Sequence, residues 1–268
     1  MQFVDNLART PLSQVLIFIV ACTVLRSLLY PIIMKTPPFK RTGFFSAFKF
    51  ANEGLDALVY AGGIVFLLIR PFVLQTFFIP SESMEKTLLI GDFIVANKFI
   101  YRVSEPQSGD IVVFRPPARG LLPGSGQTDY IKRLIGTPGQ VIEIRNGKLF
   151  RNGVKQNEVY TVNGDAEYDF KLVNDKGNFI PLLINPMTGL VNSEMTCEDY
   201  HVEPDDTERQ RYLMSLPPAA IPAGRFLMMG DNRNRSFDGR AWGLVDRRNL
   251  IGRSEFIFIP FPRVRITR

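Results

Sequence analysis

The hexapeptide Ile79-Pro80-Ser81-Glu82-Ser83-Met84 stands where the character of the chain changes. An apolar run precedes it, and the segment over residues 88–101 that follows has the β-branched and aromatic content of a strand. Two serines lie two residues apart, directly after a proline. This pattern is typical of an ordinary Pro-Ser turn, and it also suits a reactive hydroxyl held at the start of a folded domain.

Two apolar runs precede the hexapeptide, over residues 12–34 and 57–79. Each is long enough for the ~20 residues that a helix needs to cross a bilayer, so we predict two transmembrane helices. Arg26 in the first run is costly at mid-depth and is expected to face protein or reach the interface. The alternatives are a cleavable signal peptide for the first run and a buried core helix for the second. The first run follows a weakly basic start and continues past any cleavage point, which favours a retained anchor.

The segment between the two runs, residues 35–52, contains Lys35, Lys40, Arg41 and Lys49 and no acidic residue. Short loops rich in Lys and Arg stay in the cytoplasm. We therefore predict that residues 1–80 form a membrane anchor with a cytoplasmic loop at 35–52. Everything after about residue 80 is expected on the extracytoplasmic side, and the lipid bilayer is the partner that this layout implies.

From residue 88 the chain predicts mainly β structure, because short apolar runs alternate with turn residues. The predicted strands cover residues 93–101, 109–114, 130–136, 226–229 and 255–261, with a hairpin at 141–150 around Arg145-Asn146-Gly147. Residues 155–211 differ, since they carry twelve acidic and five basic side chains. We predict that they form an acidic subdomain inserted between the two parts of a β domain, 81–154 and 212–268.

Composition excludes several classes of function. The chain has 268 residues with one histidine, His201, and two separated cysteines, Cys22 and Cys197. That set makes a zinc cluster improbable and implies no disulfide framework. The net charge is +6, but no run of basic and aromatic residues resembles a nucleic-acid module, so no nucleic-acid partner is expected.

A serine hydroxyl becomes a nucleophile only when a base takes its proton. His201 is an unfavourable base, because it lies in the acidic insertion. A lysine can serve if burial or a neighbouring cation lowers its pKa from ~10.4. Lys86 forms a Ser-x-x-Lys match with Ser83, but that motif requires a helix. Lys132 lies on an apolar strand, and the positive residue that follows it would disfavour its charged form; its alternative role is that of an outward-pointing strand lysine.

A third polar stretch, residues 230–243, contains the single tryptophan, Trp242. Its density of polar side chains predicts a hydrogen-bonded loop in which Asp238 and Arg240 brace a site. A solvated turn is the alternative interpretation.

Together, these stretches resemble bacterial type I signal peptidase. The shared motifs occur in that family's order: Pro80-Ser81-x-Ser83-Met84, Thr87-Leu88-Leu89-Ile90-Gly91-Asp92, Gly109-Asp110-Ile111-Val112-Val113-Phe114, Asp129-Tyr130-Ile131-Lys132-Arg133, Gly136-x-Pro138-Gly139, Gly230-Asp231-Asn232-Arg233, Ser236-x-Asp238 and Arg240-x-Trp242-Gly243.

The resemblance implies a fold and an activity. The fold is a membrane-anchored antiparallel β domain with an inserted smaller β region, preceded by two transmembrane helices. The activity is that of a serine endopeptidase of the bacterial inner membrane that removes signal peptides from exported precursor proteins through an acyl-enzyme, with no metal or cofactor. The rival is a catalytically inactive, membrane-anchored β domain that binds envelope partners.

The resemblance also implies a role for each matching residue. Ser83 is the nucleophile and Lys132 the general base, while Ser81 and the backbone N–H of Ser83 form the oxyanion hole. Ser236 orients the lysine, and Asp238 and Arg240 brace the site. The positions implied to line pockets for small substrate side chains are Ile79, Pro80, Met84, Leu88, Tyr130 and Ile131.

The sequence departs from the family pattern at several positions. Glu82 replaces a small residue, usually glycine, between the two serines. Lys86 stands where proline is common, and Gly239 replaces a common serine. The loop over residues 115–128 is long, and the insertion lacks a cysteine pair.

Overall fold

The computed structural model describes residues 12–35, 37, 43–65, 74–121, 124, 126, 128–162, 166–192 and 206–267. The chain divides into two compact units, Met1–Gln75 and Thr76–Arg268.

The described residues of the first unit include two helices, α1 (Leu12–Lys35) and α2 (Gly43–Gly63). Arg26 of α1 pairs with Asp56 of α2, with 3.0 Å between Nη1 and Oδ1. The cation in the first apolar run therefore faces protein, as expected for a charge among apolar residues. Of the described helices, only Ser13–Lys35 has the length and the mean hydropathy, 2.2, of a membrane span.

The second predicted transmembrane helix, over residues 57–79, is not found with those bounds. Helix α2 begins at Gly43, inside the predicted loop, and residues Leu74–Phe78 form strand β1. Residues 66–73 lie outside the described residues. The run stays apolar beyond the helix for a different reason: Ile79 is only 3% exposed and packs into the core of the second unit with Met84 and Leu88. Apolar content alone does not separate a membrane helix from a buried strand.

The second unit is built on an eight-stranded antiparallel sheet. Its strands are β1, β2 (Phe93–Asn97), β3 (Ile111–Phe114), β4 (Tyr130–Gly136), β10 (Arg225–Met229), β11 (Val245–Asp246), β12 (Leu250–Ile259) and β13 (Arg265–Ile266). The order is β1-β2-β12-β3-β4-β10-β11, with β13 pairing to β12. Central strand β4 is thus held between β3 and β10.

The second sheet has five strands in the order β7-β6-β5-β8-β9. They are β5 (Ile142–Arg145), β6 (Lys148–Arg151), β7 (Val154–Lys155), β8 (Asp169–Asp175) and β9 (Asn178–Ile184). Because β8 pairs with β5, the boundary predicted at residue 155 falls inside this sheet. The other α-helices in the described part of the chain are α3 (Ile100–Val103), α4 (Thr207–Ser215) and α5 (Gly239–Trp242). Cys197 and His201 lie outside the described residues.

Local signals set most strand boundaries. The predicted hairpin is confirmed, with Asn146 at φ 49° and Gly147 at φ 71°, the left-handed pair of a type I′ turn. The predicted strand over 93–101 ends early, at Asn97, because the Asn97 side chain accepts the N–H groups of Phe99 and Ile100 and starts helix α3.

Candidate active site

Ser83 and Lys132 meet in a buried contact. Ser83 sits in a 3₁₀ turn, Glu82–Met84, and Lys132 lies on strand β4. The Lys132 Nζ atom is 2.5 Å from the Ser83 Oγ atom, and the two residues are 6% and 8% exposed. Ser81 Oγ lies 3.3 Å from Ser83 Oγ. The structure therefore brings together the two serines of the hexapeptide and the strand lysine.

The environment of Lys132 lowers the pKa of its amine and so increases the fraction that is neutral. Burial lowers the pKa of Lys132 to about 8, and the nearby Arg240 guanidinium acts in the same direction. The carboxylates of Asp238 and Asp231 oppose the shift. At pH 7 a group with this pKa is unprotonated in roughly a tenth of molecules, against less than a thousandth for a free lysine.

Arg133 does not have the role that the sequence predicted for it as the cation beside Lys132. Side chains alternate along a strand, so Arg133 points to the face of β4 opposite Lys132. There it makes two hydrogen bonds to Asp231, at 2.8 Å and 2.6 Å, and Asp231 also accepts the Thr87 hydroxyl at 2.6 Å. Arg240 is the cation that disfavours the charged form of Lys132.

Lys86 is directed away from this chemistry. Its Nζ atom donates to the carbonyl oxygens of Val159, at 2.8 Å, and Thr161, at 3.3 Å. The 3₁₀ turn at Ser83 ends before Lys86, whose φ of 76° is not helical. The helix that the Ser-x-x-Lys alternative requires is absent from this described segment.

Asp238 and Arg240 form the buried pair that the sequence predicted as a brace. Two Arg240 nitrogens, Nε and Nη2, lie 2.9 Å from the Asp238 carboxylate, which also accepts the Gly230 N–H at 2.9 Å. Burial acts to raise the pKa of Asp238, but Arg240 and the backbone N–H groups outweigh it, so the pKa is lowered. The carboxylate therefore stays charged.

Ser236 lies close to the segment that carries Ser83, and its buried hydroxyl bonds to no described residue. A Cβ atom on Gly230 would lie 2.3 Å from Ser236 Oγ and 2.5 Å from the Ser83 carbonyl oxygen. Only glycine lets these two segments approach so closely. The Ser83 carbonyl is in turn fixed by the N–H of Asn232, at 3.1 Å.

The six residues expected to line substrate pockets have different surroundings. Ile79, Met84 and Leu88 are at most 3% exposed and pack in one core cluster that Ile131 borders. Pro80 is exposed, and Tyr130 is half-buried with its ring centroid 5.8 Å from Lys132 Nζ. A cavity of about 340 Å³ borders Ser236, Phe237 and Asp238 instead.

Several residues around the site escaped the sequence analysis as individual contributors. Glu158 binds Arg233 through two hydrogen bonds, at 2.8 Å and 2.5 Å, and Tyr160 stacks under the Arg133 guanidinium at 3.9 Å. Both belong to the acidic region, and neither has a sequence signal of its own. Among the residues that the structure describes, no cluster of His, Cys, Asp and Glu could hold a metal ion.

A serine hydroxyl can act as a nucleophile when a neighbouring base accepts its proton, and a buried lysine with a lowered pKa can be that base. Ser83 in its 3₁₀ turn and Lys132 on strand β4 have this arrangement. Residues 52–259 match the family model described as signal peptidase, peptidase S26. The chain belongs to this signal peptidase family and is a serine endopeptidase.

Curated relatives carry the same family name. A probable signal peptidase I-1 from Synechocystis sp. is 33% identical over 220 residues, covering 81% of this chain and 87% of the relative. The signal peptidase I of Aquifex aeolicus is 32% identical over 216 residues, 72% of this chain and 78% of its own. The enzyme of Pseudomonas aeruginosa is 31% identical over 227 residues, 74% of this chain and 69% of its own.

Proposed function

We propose that this chain removes N-terminal signal peptides from exported precursor proteins, with Ser83 and Lys132 as a catalytic dyad. The observation that carries the proposal is the 2.5 Å contact between a buried lysine amine and a serine hydroxyl. A general base has to lie within hydrogen-bonding reach of the proton donor and be partly unprotonated at working pH. Lys132 is a candidate on both counts, because its Nζ atom contacts the Ser83 hydroxyl and its pKa is lowered to about 8.

In the proposed reaction, Ser83 Oγ attacks the carbonyl carbon of the scissile peptide bond while Lys132 Nζ accepts the hydroxyl proton. The tetrahedral intermediate collapses, the C–N bond breaks, and the Lys132 ammonium returns the proton to the leaving amine. An acyl ester on Ser83 remains. A water molecule then attacks the ester carbonyl while Lys132 accepts a proton of the water. The bond between the acyl carbon and Ser83 Oγ breaks, and Lys132 returns the proton to Ser83 Oγ, which regenerates the hydroxyl and releases the new carboxyl terminus.

The intermediate carries a negative oxygen that needs hydrogen-bond donors. We assign that role to the Ser81 hydroxyl and the backbone N–H of Ser83. The 3.3 Å between the two serine hydroxyl oxygens supports it, since Ser81 is adjacent to the attacking atom. Ser236 is assigned to orient the Lys132 amine, supported by its buried, uncommitted hydroxyl. Asp238 and Arg240 hold the loop on which Ser236 lies.

Substrate choice is assigned to Ile79, Pro80, Met84, Leu88, Tyr130 and Ile131. Support comes from Ile79, Met84 and Leu88, which pack with Ile131 in one apolar cluster next to the turn that carries Ser83. We expect small residues at the first and third positions before the cut. A cleavage-site library that tolerates large residues at both positions would contradict this assignment.

We further propose that the protein is a multi-pass protein of the bacterial inner membrane, with the catalytic domain on the extracytoplasmic side. Helix Ser13–Lys35 supports anchoring, as only 6% of its most apolar 18-residue window is buried. The basic residues of the 35–52 segment support the orientation. Reporter fusions after residues 45 and 150 test this, and a cytoplasmic signal at 150 would overturn the assignment.

The function is tested with the purified full chain and a precursor that carries a signal peptide. We expect one cut after the signal peptide with the wild type and none with Ser83→Ala. An intact precursor after long incubation with the wild type would support the rival, an inactive domain that binds envelope partners.

A further inference from the structure

Lys86 has a backbone conformation that a lysine rarely adopts. It lies in the turn that follows Ser83, with a φ of 76°, in the left-handed region that favours glycine. A residue with a Cβ atom stays in this region only when its surroundings hold it there. Lys86 is also one of the positions at which this chain departs from the signal peptidase pattern.

The surroundings hold Lys86 from two sides. Its ammonium donates to the carbonyl oxygens of Val159 and Thr161, at 2.8 Å and 3.3 Å. On the main chain, Arg265 donates to the carbonyl oxygens of Lys86, at 3.3 Å, and Thr87, at 2.6 Å. Hydrogen bonds from a charged donor are stronger than neutral ones. The Lys86 ammonium therefore links its own turn to residues 158–162, which we call the 158–162 segment.

The 158–162 segment is fixed to the rest of the site by three further contacts. Glu158 binds Arg233, the Tyr160 ring lies 3.9 Å from the Arg133 guanidinium, and the Val162 N–H donates to the Asp231 carbonyl at 3.2 Å. These partners are sequence neighbours of residues in the site. Arg133 follows Lys132, and Asp231 and Arg233 flank Asn232, whose N–H donates to the Ser83 carbonyl oxygen. The segment thus touches both the base side and the nucleophile side of the site.

We propose that Lys86 is a positioning residue: its ammonium ties the turn that carries Ser83 to the 158–162 segment, and so holds the Ser83 hydroxyl opposite Lys132. The inference rests on the proposed function. Lys86 acts through Ser83. In this proposal the 158–162 segment, which belongs to the acidic region 155–211, fixes the turn that carries Ser83.

The test uses the full chain and a precursor substrate, with Lys86→Met, Lys86→Gly and Lys86→Arg. Lys86→Met removes the charge and keeps the length, whereas Lys86→Gly removes the charge and also relieves the backbone strain. We expect both to lower kcat about 10-fold with KM within about twofold, because a loosened nucleophile impairs the chemical step and not binding. Lys86→Arg should recover most of kcat, since a cation again reaches the two carbonyls.

The matched control is Lys155→Met, the same change at an exposed lysine of strand β7, with kcat expected to stay at the wild-type value. Thermal unfolding of each preparation identifies a variant that fails to fold. A wild-type kcat in a folded Lys86→Gly protein would overturn the proposal, as would a change confined to KM. Ser83→Ala and Lys132→Ala are assayed beside them: if these two are inactive and the Lys86 variants are normal, only the present inference fails; if they are active, the proposed function fails.

Discussion

Lys132 and Lys86 are two lysines near one serine, and the structure gives them opposite surroundings. Lys132 is 49 positions from Ser83 in sequence, yet its amine is buried against the Ser83 hydroxyl. Lys86 is three positions away, and its amine binds backbone carbonyls at the surface of the domain. Burial by the sheet lowers the pKa of Lys132 and makes it the better candidate for the base, although Lys86 is closer to Ser83 in sequence.

Of the substitutions considered, those of Lys132 should cause the greatest loss of activity. Lys132→Ala should lower kcat by ~10⁴-fold or more, because Ser83 loses its base. Lys132→Arg should be equally inactive, since a guanidinium stays protonated at working pH and cannot accept the Ser83 proton. The measurement is single-turnover cleavage of a precursor, with circular dichroism as the folding control. An active Lys132→Ala enzyme with an inactive Lys86→Met enzyme would reverse the assignment of the two lysines.

The next prediction concerns the buried ion pair of Asp238 and Arg240, whose charges both act on Lys132. Asp238→Asn should lower the free energy of unfolding by about 3–5 kcal/mol, because it leaves the Arg240 charge buried without its carboxylate. Asp238 and Arg240 are 0% and 6% exposed, so water cannot replace the lost partner. Urea unfolding followed by tryptophan fluorescence measures this through Trp242, which is 1% exposed in the native state. A loss too small to detect would mean that the pair is not a structural brace.

A third prediction concerns the Ser81 hydroxyl, the proposed hydrogen-bond donor to the oxyanion. Ser81→Ala should lower kcat by roughly 10²–10³-fold with little change in KM, since one donor to the oxyanion acts in the transition state. Steady-state kinetics on a short peptide substrate provide the measurement. An unchanged rate would show that Ser81 only shapes the turn.

The smallest effect is expected on the exposed side, at the pair formed by Glu82 and Arg235. Their side chains are 42% and 69% exposed and lie 3.0 Å apart. Exposed ion pairs contribute little, so Glu82→Gln should change kcat/KM by less than about twofold. Arg235→Gln is the matched partner variant. A large loss in either would show that Glu82 contacts the substrate.

The features that the sequence predicted well are those that depend on neighbouring residues. The position of Lys132 on a strand was predictable, and strand β4 has the predicted bounds. The strand pattern also allowed an outward-pointing lysine, so only the family resemblance favoured Lys132 as the partner of Ser83. The hairpin at Asn146-Gly147 was predictable because its turn residues fix the backbone locally. For the strand and the hairpin, the decisive information lies within a few neighbouring residues.

Contacts between distant segments were not predictable in this way. The pair of Arg133 with Asp231 and the stacking of Tyr160 join residues far apart in sequence, and no local pattern records them. Apolar content placed the second helix too late, because the same residue types fill a membrane helix and a buried strand such as Leu74–Phe78. The boundary at residue 155 followed charge, whereas the sheet follows the pairing of β5 with β8.

The proposed role of Lys132 as the base can be tested through the pH dependence of kcat/KM. The active form requires a neutral amine, so kcat/KM should rise with pH and reach half of its maximum near the Lys132 pKa of about 8. The profile reports the free enzyme, and it should be the same for two precursors of different sequence. A rise centred near 6.5, the value typical of histidine, or a flat profile across pH 6 to 10, would contradict the account.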